Sequence, residues 1–90
     1  MTEPDDPIIR QLREAISDND RKLMETLNKR LELVARLKSY KESHGIGFLD
    51  PEREEWMLNY LQRANRGKLS PEGLREFFTQ VLDLTKRELS

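Results

Sequence analysis

The chain has 90 residues, 16 Lys+Arg against 17 Asp+Glu, a net charge of −1 and no cysteine. Balanced charge leaves no excess of cations for a phosphate backbone or an anionic membrane surface. The lack of cysteine excludes disulfides, thiolate metal sites and Cys nucleophiles, and the one histidine, His44, excludes a His-rich zinc site. The chain is expected to be a soluble, cytoplasmic single domain without metal, with no apolar run of the ~20 residues that a membrane span needs.

Residues 1–6 read as an acidic, disordered tail and residues 7–90 as the folded domain. Asp6-Pro7 has the form of a helix start, with Asp as cap and Pro in the first turn. From Ile8 to Ser43 there is neither Gly nor Pro. Apolar residues recur there at helical spacing: Ile9, Leu12, Ile16, Leu23, Leu27, Leu31, Val34 and Leu37. Gly45 and Gly47 end this run. Asp50-Pro51 starts a second, shorter helix carrying Met57, Leu58, Leu61 and Ala64, closed by Gly67. Ser70-Pro71 starts a third, with Leu74, Phe77, Phe78, Val81 and Leu82. No segment alternates with period two. The fold class is all-α, with one long and two short helices.

A helix of roughly 37 residues is about 55 Å long, whereas a compact chain of this size is only about 30 Å across. The long helix therefore either kinks or packs against another chain. The apolar spacing is too irregular for heptads. The expected assembly is an intertwined helical homodimer.

Some cations fall where apolar residues belong. Arg30 and Lys41 are about 20° apart around the first helix and ~16 Å apart along it, with Val34 and Leu37 between them. Burying unpaired cations costs several kcal/mol each, so these residues meet anions, form salt bridges within the chain, or snorkel their stems. Arg13 lies about 100° around the helix from Arg30 and ~25 Å away. It cannot reach the site of Arg30 from the same helix, whereas Arg13 of the partner subunit can in an antiparallel dimer. Glu54 extends the stripe of Met57, Leu58 and Leu61 backward, beside Arg53, as a polar site residue or a structural ion pair. Asp50 reads as an N-cap. Thr85 extends the stripe of Phe78, Val81 and Leu82, and a buried Thr often bonds the backbone one turn back. Together these residues outline an apolar pocket with several cations, one acid and one hydroxyl. Such a pocket suits a small dianion that carries a hydroxyl. No nucleophile–base pair is evident.

Leu12-Arg13-Glu14-Ala15-Ile16, Asn28-Lys29-Arg30, Lys41 and Asp50-Pro51-Glu52-Arg53-Glu54 together resemble the all-helical (AroQ-type) chorismate mutases, over nearly the whole chain. The resemblance implies three helices per chain, an intertwined homodimer with shared sites, and the Claisen rearrangement of chorismate to prephenate in phenylalanine and tyrosine biosynthesis. It implies no cofactor and no metal. By position, Arg13 of one subunit and Arg30 of the other would bind substrate carboxylates. Lys41 would face the ether oxygen and a carboxylate. Glu54 would accept from the ring hydroxyl near the backbone of Asp50, and Arg53 and Thr85 would border the ring carboxylate. One position departs from the family pattern. Leu89 stands where Gln or Glu usually partners the ether oxygen, and Glu88 substitutes only if the last turn shifts by one residue. The resemblance also implies an aldolase-type DAHP synthase as partner or fused domain. Isochorismate pyruvate-lyase shares the fold and the cationic pocket, but the acidic segment 50–54 favours the mutase. A non-catalytic chorismate- or prephenate-sensing module is the competing reading from another class, and a plain helical adaptor is the least specific one.

Overall fold

A computed structural model describes residues 6–90, and the tail expected over residues 1–6 lies outside the described residues except for Asp6. Three helices are present, α1 (Pro7–Ser43), α2 (Pro51–Ala64) and α3 (Pro71–Glu88), and the described residues contain no strand. The chain divides into two compact units, Met1–Glu32 and Leu33–Ser90.

Each helix starts at its expected cap. The Asp6 carboxylate accepts from the backbone N–H of Ile8 at 2.7 Å and of Ile9 at 3.4 Å. Asp50 accepts from Arg53 N–H at 3.1 Å, and Ser70 Oγ from Gly73 N–H at 2.9 Å. A proline follows each of these caps, where its fixed φ suits the helix and its missing N–H costs no bond. The end of α1 is a Schellman turn. Gly45 takes φ 67°, Ile46 N–H bonds to the Lys41 carbonyl at 2.8 Å, and Gly45 N–H to that of Glu42 at 3.3 Å. A side chain at Gly45 would be strained by that φ. The single histidine, His44, stacks on Tyr40 at this helix end, with ring centroids 3.9 Å apart.

The second helix stops earlier than Gly67. Asn65 leaves helical conformation at φ −68°, ψ 121°. Its side chain then holds the turn, accepting from Gly67 N–H at 3.1 Å and donating to the Leu69 carbonyl at 2.7 Å. Asparagine offers the backbone partners that compete with the helix ladder, and here those partners win.

The second unit has its own small core. Leu58 of α2 and Leu74 and Val81 of α3 are buried, together with Thr85. At its edge Arg75 grips Glu55 with two bonds, at 3.0 and 3.2 Å, and Gln62 donates to the Pro71 carbonyl at 2.7 Å. In the first unit, residues 7–32 of α1 contain no buried residue. Leu12 and Ile16 are exposed there, as are Leu23 and Met24.

Candidate active site

The second unit contains Lys41, Asp50, Arg53, Glu54, Thr85, Glu88 and Leu89, while Arg13 and Arg30 belong to the first. Arg13 is exposed and Arg30 half-buried on α1.

Lys41 is half-buried near the end of α1, where its ammonium donates to the Phe48 carbonyl at 3.4 Å. The Gly45 turn is what brings residue 48 back beside the helix that it has just left. The stripe on this part of α1 differs from the sequence expectation. Leu37 is 49% exposed, whereas Val34, Ala35, Lys38 and Lys41 are half-buried. The inward edge of the helix therefore runs through Lys38. Its ammonium lies 5.6 Å from the centroid of the Phe48 ring and donates to the Leu89 carbonyl at the end of α3.

Glu54 is half-buried in the first turn of α2 and pairs with Lys86 of α3, at 3.1 Å. Sequence reasoning placed the acid correctly but had no partner for it beyond the adjacent Arg53. Arg53 instead lays its guanidinium over the Trp56 ring at 4.0 Å, and that ring stacks on Tyr60 at 5.2 Å. Thr85 is 4% exposed and its hydroxyl donates to the Val81 carbonyl at 2.7 Å, the bond one turn back that a buried Thr favours.

The last turn of α3 is regular. Leu89 is the C-cap and its N–H bonds to the Thr85 carbonyl at 3.1 Å. Glu88 is exposed and Leu89 half-buried, so it is Leu89 that follows Thr85 on the same face. Two residues here escaped sequence reasoning. Lys38 stands three positions before Lys41 and four after Val34, a helical spacing that could have revealed it. Lys86 has no such local signal, because its pairing depends on α2 docking on α3.

The electrostatic balance is uneven. Glu54 has its cation, but among the described residues neither Lys38 nor Lys41 meets a carboxylate; both meet backbone carbonyls. Carbonyl dipoles offset only part of the cost of desolvating an ammonium. This region is thus suited to a small anion with polar groups, held by fixed donors.

Half-buried ammonium groups, a paired acid and a buried hydroxyl thus occur within one all-helical unit. Residues 12–88 match the chorismate mutase type II family, and the chain belongs to that family. Among similar proteins, the bifunctional chorismate mutase/prephenate dehydratase of Pseudomonas aeruginosa is 32% identical over 79 residues, covering 82% of this chain and 22% of that protein. Its namesake from Stutzerimonas stutzeri is 29% identical over 87 residues, 91% of this chain and 23% of that protein. The chain thus spans less than a quarter of the length of these curated relatives. The form I structure of chorismate mutase from Thermus thermophilus superposes with a TM-score of 0.83 at 30% identity, covering 86% of this chain and 96% of that one. The form II structure gives 0.84 at 29% identity, with coverage of 88% and 90%.

Proposed function

We propose that this chain is a chorismate mutase, converting chorismate to prephenate in the cytoplasm on the route to phenylalanine and tyrosine. The observation that carries this reading is Lys41, a half-buried ammonium that meets no carboxylate among the described residues, within a chain that matches the mutase family over residues 12–88. The rearrangement is unimolecular: an ether C–O bond breaks as a C–C bond forms, and no nucleophile, cofactor or metal is required. Two effects then supply the rate. Holding the enolpyruvyl arm over the ring removes most of the entropic barrier. Fixed donors at the ether oxygen stabilise charge that grows only in the transition state.

In this reading Lys41 faces the ether oxygen and Arg30 a substrate carboxylate. Glu54 takes the ring hydroxyl, with Asp50 setting the start of α2 beneath it. Thr85 and Arg53 border the ring carboxylate, and Leu89 packs against the substrate. Glu88 takes the position of Leu89 only if the last turn rearranges. The acidic first turn of α2 supports the mutase over isochorismate pyruvate-lyase.

The working form is a homodimer with shared sites. Two observations support it. Only Leu58, Leu74 and Val81 form a buried apolar core among the described residues, and large apolar side chains along α1 stand in water: Ile8, Leu12, Ile16, Leu23 and Leu33. In addition, Arg13 points about 100° away from Arg30 around α1, which suits it to the pocket of the other subunit. For a partner enzyme, the names of the two curated relatives give prephenate dehydratase, where the resemblance in sequence implied DAHP synthase. Mutase rates measured with each added enzyme separate the two.

The test is incubation of the purified chain with chorismate and, separately, isochorismate, with the products identified by mass spectrometry. Prephenate from chorismate is expected. Saturable binding without turnover would replace the enzyme by a sensing module, and pyruvate release from isochorismate would replace it by the lyase. Sedimentation equilibrium at micromolar concentration should give twice 10.7 kDa.

A further inference from the structure

Lys38 and Lys41 stand one turn apart on α1, and both are half-buried. Side chains at this spacing are neighbours, with Cβ atoms about 5–6 Å apart. Both ammonium groups gather around one residue. Lys41 donates to the Phe48 carbonyl at 3.4 Å, and Lys38 lies 5.6 Å from the Phe48 ring centroid. Lys38 also donates to the Leu89 carbonyl. Two like charges held this close, with carbonyls as their partners, are arranged to receive an anion or an atom that becomes negative.

The position of Lys38 relative to α3 decides which atom. Leu89 follows Thr85 on the same face of α3 and offers no side-chain donor. The carbonyl that orients the Lys38 ammonium belongs to this same residue. We propose that Lys38 is a second catalytic cation, donating to the ether oxygen of the substrate from beside the end of α3, one turn along α1 from Lys41. This inference rests on the mutase reading. An ammonium has three protons, so Lys38 keeps its bond to the Leu89 carbonyl and directs another proton at the substrate. No proton is transferred. As the C–O bond breaks, negative charge grows on the oxygen and both bonds strengthen, which lowers the barrier instead of merely tightening substrate binding.

The plain structural role for Lys38 is to cap the last carbonyls of α3, as cations do at helix C-termini. Kinetics and stability together distinguish the two roles. The experiment measures kcat, KM for chorismate and Tm for the full chain as wild type, Lys38→Met, Lys38→Arg and Lys38→Met/Leu89→Gln. Methionine keeps an unbranched apolar stem and removes the donor. The expected result is a kcat about 10²-fold lower for Lys38→Met, the usual cost of one preorganised donor. KM and Tm should change little, and Lys38→Arg should keep kcat within about tenfold of wild type. Lys38→Met/Leu89→Gln should regain about tenfold, because an amide donor returns at the same end of α3.

Wild-type kcat in Lys38→Met overturns the proposal, and so does a lowered Tm with kcat retained, which reduces Lys38 to a helix cap. No gain from the added Gln also overturns the assignment to this end of α3. Should Lys38→Met not fold, Lys38→Gln keeps an uncharged donor for the Leu89 carbonyl; its kcat is expected to fall about tenfold, and a wild-type kcat there overturns the proposal. A wild-type chain that leaves chorismate unconverted defeats the mutase reading and this proposal with it. An active wild type with an unaffected Lys38→Met defeats the proposal alone.

Discussion

Residues 7–32 and residues 33–90 draw on similar proportions of apolar side chains but dispose of them differently. In the second region two capped helices bury Leu58, Leu74, Val81 and Thr85 and lock their edges with the Glu55–Arg75 pair. The first region is one helical segment with no buried residue, in which Ile8, Leu12, Ile16, Leu23 and Met24 stand exposed. An isolated helix is marginal in water however good its propensity, because its stability comes from packing. The comparison teaches that the second region has a small core of its own, whereas residues 7–32 bury no side chain within the single chain. The proposed chemistry follows the same line. Lys41, Glu54 and Thr85 come with the region that has a core, and Arg13 and Arg30 with the one that has none.

Mutations on the two sides should separate these roles. The largest effect is expected for Leu58→Ala, which opens a cavity in the small core and should cost about 2–5 kcal/mol in chemical denaturation. A loss below about 0.5 kcal/mol, the range of surface substitutions, would mean that α2 and α3 do not share a core. Lys41→Ala comes next. It should lower kcat by about 10²–10³. Folding without ligand should be unchanged or slightly improved, since a half-buried charge that the Phe48 carbonyl offsets only in part is removed. A fall in Tm with activity retained would make Lys41 structural.

Ile16→Ala probes residues 7–32. Ile16 is 59% exposed in the single chain. A second copy covering it predicts a loss of about 1–3 kcal/mol and a Tm that rises with protein concentration. A loss within about 0.5 kcal/mol and a concentration-independent Tm would leave that face in water.

The smallest effect concerns pH. Arg75 holds the Glu55 carboxyl below its ordinary value of 4.5, first through its hydrogen bonds and then through its charge. A carboxylate whose pKa is lower in the folded chain adds stability above its unfolded pKa and loses it as pH falls through the folded one. Stability should therefore decline slightly as pH drops below about 4.5. Glu55→Gln should remove that increment, and salt should weaken it, because the pair is exposed. An identical decline in Glu55→Gln would assign the acid sensitivity to other carboxylates.

The legibility of this chain in its sequence follows the range of the interactions. Asp6-Pro7, Asp50-Pro51 and Ser70-Pro71 could be read as helix starts because a cap and its proline act within a single turn. The end of α2 was less legible, since Asn65 closes it with its own side chain before Gly67 is reached. Of the stripe that periodicity gives on α1, Ile9, Leu27, Leu31 and Val34 are half-buried, and Leu12, Ile16, Leu23 and Leu37 are exposed. Leu37 and Lys38 flank the direction of Lys41, and an apolar side chain is the natural choice for the inside, yet it is the lysine stem that turns inward. The Glu54–Lys86 pair spans 32 residues and exists only because α2 and α3 dock. The identity of the acid was visible in its helix, and its partner was not.

The measurement that tests a site shared between two copies most directly mixes two inactive variants, Arg13→Ala and Lys41→Ala. Each homodimer should be nearly inactive, because both of its sites lack one cation. After the two are unfolded and refolded together in equal amounts, about half of the dimers are mixed. Each mixed dimer has one site with Arg13 from one copy and Lys41 from the other. Activity should return to roughly a quarter of wild type by this symmetric count. If mass spectrometry confirms mixed dimers while activity stays at the level of the separate variants, Arg13 does not act across the dimer and the shared site is refuted.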